Sequence, residues 1–382
     1  MFGGYQNELY LGGLAGQRPE LPLAYDDLEA AAREALSPEA FDYVAGGASS
    51  EDTVRANREA FRRWRIVPRV LTNVAERDLS TTVLGTEMPA PVLLAPVGVQ
   101  GIVHPDAEVA VARAAGGLGI PIVLSTVSSK SMEEVAEASG AGPRWFQLYW
   151  PNEPELTASL LSRAEAAGYS AVAVTLDTRI LAWRPRDLQR AYLPFLRAEG
   201  LANYLSDPVF RAPLEGDDPA QAALRWVGVF ADPSSTWDRL ASLREMTSLP
   251  ILLKGVLHPG DAHLAVEHGM DGIIVSNHGG RQVDGAVAAL DALPNVVEAV
   301  AGRLPVLFDS GIRTGADAVK ALALGAKAVL LGRPYIWGLA LGAEDGVRQV
   351  LRAFLADLDL TVALSGRRSI DELDPSLLVP AP

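Results

Sequence analysis

The sequence predicts an α/β protein built as a (β/α)8 TIM barrel, with an N-terminal helical extension and a long loop after the fourth strand. Three observations predict it. From residue 91 a unit repeats eight times: a short apolar run, a polar or glycine punctuation, then an alanine-rich helical stretch. The runs are nearly continuous in apolar residues, which marks strands of a parallel sheet covered on the other face as well. At 382 residues the chain exceeds one average domain but suits a barrel of ~250 residues with insertions. A six- or seven-stranded open sheet is the rival architecture.

Residues 1–90 precede the repeat as the helical extension. They carry two or three short helices, one opening at Ser37-Pro38 with serine as N-cap and proline in the first helical position. The barrel takes up residues 91–382. Its strand runs are PVLLAPVG (91–98), PIVLSTV (121–127), RWFQLYW (144–150) and AVAVTLD (171–177). They continue with PILLKGV (250–256), GIIVSN (272–277), PVLFDSG (305–311) and AVLLGRP (328–334). Residues 178–235 separate strands four and five and hold several prolines and a GDDP turn. A loop that long is uncommon unless functional. It leaves the C-terminal end of a strand, where barrels place their active sites.

Composition narrows the function. Hydrophobic residues make up 49% and aromatics only 7%, so alanine, leucine and valine fill most of the core. A net charge of −14 argues against a nucleic-acid partner, which needs a basic face. Any anionic ligand must be gripped by a few locally placed arginines and lysines. The absence of cysteine excludes disulfides, cysteinyl metal sites, cysteine nucleophiles and cysteine-linked cofactors. MFGGYQNELY has no positively charged segment followed by an apolar run. The apolar stretch 321–345 is broken by Lys327 and Arg333, too soon to span a bilayer. A soluble, cytoplasmic protein is expected.

At the C-terminal ends of the strands stand Gly98, Ser125, Gln147, Tyr149, Thr175, Asp177, Lys254, Asn277, His278, Asp309, Gly332 and Arg333. Converging on one rim, they define a polar pocket. DSGIRTGAD (309–317) and LGRP (331–334) bring glycines, Arg313, Arg333 and a helix start to the position after strands seven and eight. Backbone N–H groups and guanidiniums there suit a phosphate dianion; turn glycines and solvated arginines are the plainer alternative. In SNHGGRQ (276–282), His278 is flanked by glycines and Arg281, and Asp177 is a candidate carboxylate to orient it. Lys254 is either a snorkelling charge or a fixed cation beside a group that becomes anionic. His258, His263 and His268 are five apart, so each helical step turns ~140° and they share no face for a metal; no metal site is expected.

SNHGGRQ, LLKGV, FQLYW, VTLDT and FDSGIRTGAD together resemble the FMN-dependent L-2-hydroxy acid oxidase and dehydrogenase family, over about residues 5 to 372. YQNELY, WRPRDL (183–188), NYLSDPVF (203–210) and RPYIWGLALG (333–342) are most similar to its lactate 2-monooxygenase branch, whereas GIVHPDAE (101–108) is closer to the ordinary oxidases. The resemblance implies FMN as cofactor and His278 as the base, paired with Asp177. It implies Tyr43, Arg184 and Arg281 on the substrate carboxylate and Tyr149 on the 2-hydroxyl. Lys254 would stand beside flavin N1 and the C2 carbonyl. Pro96, Val97, Gly98, Ser125, Gln147, Thr175 and Ser276 would surround the isoalloxazine ring. Asp309, Ser310, Gly311, Arg313, Gly332 and Arg333 would hold the ribityl chain and phosphate.

It further implies a small L-2-hydroxy acid, with lactate first, O2 as partner, and a homotetramer or octamer. Gly98 replaces the alanine usual in simple oxidases. On that resemblance the keto acid stays bound while oxygen reacts, giving acetate, carbon dioxide and water. The alternative is release of the 2-keto acid with hydrogen peroxide, or electron transfer to another acceptor. Leu181, Ala182 and Trp183 depart from the family pattern and are expected to reshape the pocket, which leaves a substrate other than lactate open. Two other classes stay open: an FMN-binding barrel isomerase without net redox, and a non-catalytic flavin binder.

Overall fold

A computed structural model describes residues 1–381. Eight parallel strands close a barrel: β1 (Val92–Leu94), β2 (Ile122–Ser125), β3 (Arg144–Tyr149), β4 (Val172–Thr175), β5 (Ile251–Val256), β6 (Gly272–Val275), β7 (Val306–Phe308) and β8 (Ala328–Leu331). Each lies within one of the eight apolar runs, and β8 closes onto β1 with Val329 opposite Val92.

The runs are apolar throughout because both faces are buried. One set of positions, including Val92, Leu124, Phe146, Val174, Leu253, Val275 and Phe308, packs outward against the helices. The alternate set, including Leu93, Val123, Trp145, Ala173, Leu252, Ile274, Leu307 and Leu330, fills the interior. A hairpin of Thr81–Val83 and Thr86–Met88 plugs the N-terminal end with Val83 and Met88. There the Trp145 indole N–H donates to Thr86 Oγ1 at 2.9 Å.

Residues 1–90 hold four helices where the sequence predicts two or three. Pro38–Ala45 begins as expected, with Ser37 Oγ accepting the Ala40 N–H. The extra helix, Gly4–Leu14, buries none of its residues and contains three glycines, so it carries no apolar stripe to announce it. The segment after β4 is built of short helices. Pro185, Pro194, Pro208 and Pro219 each open one, as a residue with fixed φ and no N–H can. Its own aromatic cluster, Phe195 on Trp226 and Trp226 on Phe230, packs above the barrel mouth. Among the described residues no helix is long and apolar enough to cross a membrane.

Candidate active site

The inward positions of the strands turn polar at the top of the barrel. Ser125, Gln147, Thr175, Lys254, Ser276 and Asp309 each follow an inward apolar residue by two, and all six are buried. Ser125 Oγ donates to Gln147 Oε1 (3.1 Å), and Gln147 Nε2 donates to Thr175 Oγ1 (2.8 Å). Lys254 Nζ donates to Ser276 Oγ (3.0 Å) and lies 3.3 Å from Asp309 Oδ2. Burial works against the ammonium, but the Asp309 and Asp177 carboxylates prevail and raise it above its ordinary range.

His278 follows β6 in the left-handed region, at φ 59°. Its backbone N–H donates to Ser276 Oγ at 3.0 Å. Nδ1 is 2.8 Å from Asp177 Oδ1 and 3.2 Å from Thr178 Oγ1, while Nε2 faces the Tyr149 hydroxyl at 3.5 Å. A carboxylate at Nδ1 requires the proton there, which leaves the Nε2 lone pair free. Burial pushes Asp177 up, but His278, Lys254 and the hydrogen bonds to it outweigh that and hold it at about 2. Burial pushes His278 down against the pull of Asp177. A charged carboxylate behind a neutral imidazole is the resting state of a base.

Two guanidiniums stand beside this pair. Arg281 Nη1 donates to the carbonyls of Tyr43 (2.6 Å) and Gly46 (2.8 Å), with its guanidinium 5.1 Å over the Tyr43 ring. Arg184 donates to the Arg281 carbonyl (3.1 Å) and Gln282 Oε1 (3.0 Å). Every one of these acceptors is neutral. Burial and then the Arg184 charge push Arg281 down to about 9. Asp187 offsets part of that charge from a distance, but no carboxylate contacts either guanidinium, and an anion in the cavity would relieve the pair.

The far end is similar. Arg333 donates to the carbonyls of Val44, Gly46 and Gly279. Burial and the neighbouring Arg313 push it down to about 10. Arg313 stacks 4.3 Å over Tyr25, and its Nε is buried with no partner.

One cavity of about 1050 Å³, counting its open mouth, joins the two ends. Tyr43, Pro96, Val97, Gly98, Tyr149, Arg184, Lys254, His278, Arg281, Asp309, Ser310, Gly311, Arg313, Gly332 and Arg333 line it. Ser125, Gln147, Asp177 and Ser276 lie behind that wall, and Thr175 lines a second cavity on the far side of Thr178. Asn277 turns away and pairs its amide with that of Asn57 (2.8 and 2.7 Å).

Sequence reasoning missed several contributors. Thr178 bridges His278 and Asp177. Gly255, at φ 103°, leaves the space Asp177 occupies, since a Cβ there would lie 2.8 Å from Asp177 Cβ. Val127, Phe195 and Phe230 supply an apolar wall with Leu181. Only the glycine after Lys254 had a readable local signal.

Comparison with known proteins agrees with this geometry. The profile of the FMN-dependent dehydrogenase family matches residues 32–380. The chain belongs to that family. An FMN-dependent alpha-hydroxy acid dehydrogenase of Penicillium citrinum is 47% identical over 97% of this chain and 94% of its own length. An L-lactate oxidase of Lysinibacillus sphaericus is 44% identical over 97% and 96%. A crystal structure of mandelate oxidase with (S)-4-hydroxymandelic acid superposes with a TM-score of 0.84 at 39% identity, covering 94% of this chain and 99% of that one.

The enzyme is thus an FMN-dependent oxidoreductase, and its cavity fits the cofactor. The orphaned Arg313 Nε and the crowded Arg333 mark an anion position at one end. A Cβ at Gly332 would meet nothing nearer than 4.0 Å, so that wall is open to a ligand. Lys254 supplies buried positive charge in the middle.

Gly98 lines the cavity next to Val127, the residue a methyl group at position 98 would meet first. That Cβ would lie 2.6 Å from Val127 Cγ2, 2.7 Å from the Val127 carbonyl oxygen and 3.2 Å from Ser125 Oγ. The glycine lets the loops after β1 and β2 approach this closely, and an alanine would need Val127 to shift.

Proposed function

We propose that this enzyme oxidises small L-2-hydroxy acids with an apolar side chain, lactate first among them, and passes the electrons to O2. The observation that carries the reading is the pair of cavity-lining guanidiniums, Arg184 and Arg281, whose hydrogen bonds go to neutral acceptors and which no carboxylate meets in a salt bridge, beside the free Nε2 of His278. They grip the substrate carboxylate by charge-assisted hydrogen bonds, with Tyr43 alongside. The Tyr149 hydroxyl, which burial keeps protonated, serves the 2-hydroxyl. His278 Nε2 takes the proton, and Asp177 stabilises the resulting imidazolium. Val127, Leu181, Phe195 and Phe230 face the substrate side chain, which favours an apolar one. FMN, when bound, supplies the two-electron acceptor.

Release of the 2-keto acid with hydrogen peroxide is the first outcome, as the name of the L-lactate oxidase relative suggests. Decarboxylation to acetate, carbon dioxide and water comes second. It depends on Gly98, which lines the cavity beside Val127, governing keto-acid retention. The test compares acids with their methyl esters in the parent and in Arg281→Met. The parent should favour the acid strongly. The variant should lose roughly 1.5–3 kcal/mol, about 10- to 150-fold in kcat/KM, on the acid alone. Equal turnover of acid and ester by the parent would contradict the assignment.

A further inference from the structure

Glu108 is a fully buried carboxylate that the proposed reaction leaves unused. It lies in the first turn of the helix Ala107–Gly116. Its Oε1 accepts the backbone N–H of Gln100 (3.2 Å) and that of Ser129 (3.0 Å). Those amides belong to different loops, one after β1 and one after β2. The same two loops carry Gly98 and Val127 to the cavity wall.

The linkage continues through Gln100. Its Nε2 donates to the Val97 carbonyl (2.9 Å) and lies 3.4 Å from the Tyr335 hydroxyl, which donates to the Ala95 carbonyl (2.8 Å). The carbonyls of residues 95 and 97 are thereby held by groups outside the cavity. In a trans peptide the carbonyl and the next N–H point in opposite directions. Holding the Val97 carbonyl back therefore turns the Gly98 N–H the other way, toward the cavity that Gly98 lines.

A neutral acceptor could take those two amide bonds as well. The carboxylate instead leaves its Oε2 buried without a partner, as is Gln100 Oε1. Burial pushes Glu108 up to about 7, against its amide bonds. Such a group is a poor choice for stability alone.

We propose that Glu108 is a positioning residue: accepting from both loops at once, it fixes the 95–98 backbone against the cofactor and so sets FMN affinity and the flavin's surroundings. The proposal rests on the reading of that backbone as the wall facing the flavin ring.

The test strips FMN from the enzyme, titrates it back by fluorescence quenching, and records the visible spectrum. The variants are Glu108→Ala, Gln100→Ala and Glu108→Gln. Both alanine variants should bind FMN roughly tenfold or more weakly and shift the flavin bands, while Glu108→Gln, which keeps an acceptor oxygen, stays within about threefold of the parent. Should Glu108→Ala fail to fold, Glu108→Asp, which keeps the charge but draws the carboxylate back from the two amides, decides in its place: it should weaken FMN binding about tenfold, and parental affinity would overturn the proposal. Folded alanine variants with parental affinity and spectrum overturn the proposal. So does a Glu108→Gln variant as impaired as Glu108→Ala. Failure of the proposed function shows separately, as a parent that binds FMN but is not bleached by any 2-hydroxy acid.

Discussion

Asp177→Asn separates the electrostatic part of the base from its placement. The 2.8 Å bond between Asp177 Oδ1 and His278 Nδ1 is short and shielded from solvent. Thr178 Oγ1, 3.2 Å from the same nitrogen, remains to orient the ring. The loss is therefore mainly one of charge. A hydrogen bond to a charged partner is worth ~1.5–3 kcal/mol, so the pH-independent rate of flavin reduction should fall ~10- to 150-fold. The pH profile gives a second, signed readout. His278 acts when neutral, and burial already lowers its pKa while Asp177 opposes that fall. Removing the carboxylate lowers it further, so the acid limb should move to lower pH as the plateau drops. Stopped-flow reduction under anaerobic conditions across the pH range measures both. A plateau within about threefold of the parent, or an acid limb moved upward, would refute the dyad as the base.

Gly98→Ala should cost ~1–3 kcal/mol of stability, because the methyl meets a backbone carbonyl that cannot swing aside. The product pattern from lactate should stay that of the parent. A shift from acetate to pyruvate and peroxide in this variant would restore the decarboxylating reading. Glu108→Gln should flatten the dependence of thermal stability on pH. The folded protein holds the Glu108 proton up to about pH 7 against an ordinary 4.5, so its contribution is complete below 4.5 and is lost as pH rises through 7. Tyr169 and Tyr335, the titratable groups near it, are both pushed up by burial and do not titrate in that window. Melting curves of parent and variant that stay parallel from pH 4.5 to 8 would contradict this, the window being that of the raised carboxyl.

The barrel was legible because its strands are buried on both faces and so appear as eight unbroken apolar runs. Most runs overshoot their strands by a few residues, as 171–177 does Val172–Thr175. Part of the site lies in that overshoot, as Asp177 and Asp309 do, and part in the last residues of the strands, as Ser125, Gln147, Thr175 and Lys254 do. His278, Lys254 and Arg281 stood out as charged or titratable groups ending apolar segments. Phe195 and Phe230 did not, because an insertion's aromatic cluster reaches the cavity only after it folds on itself. Glu108 escaped notice for a related reason. In sequence it is one acidic residue in a helix's first turn, an ordinary surface position, and only the packing of two loops over it removes it from water.

The most direct test is anaerobic mixing of the FMN-loaded enzyme with L-lactate, D-lactate and larger 2-hydroxy acids while the flavin absorbance is followed, then admission of oxygen and identification of products. The expected result is rapid bleaching by L-acids only, followed on aeration by recovery of the yellow form, with the 2-keto acid and peroxide as products. Absence of bleaching by every 2-hydroxy acid, in an enzyme that holds FMN, would contradict the account at its centre.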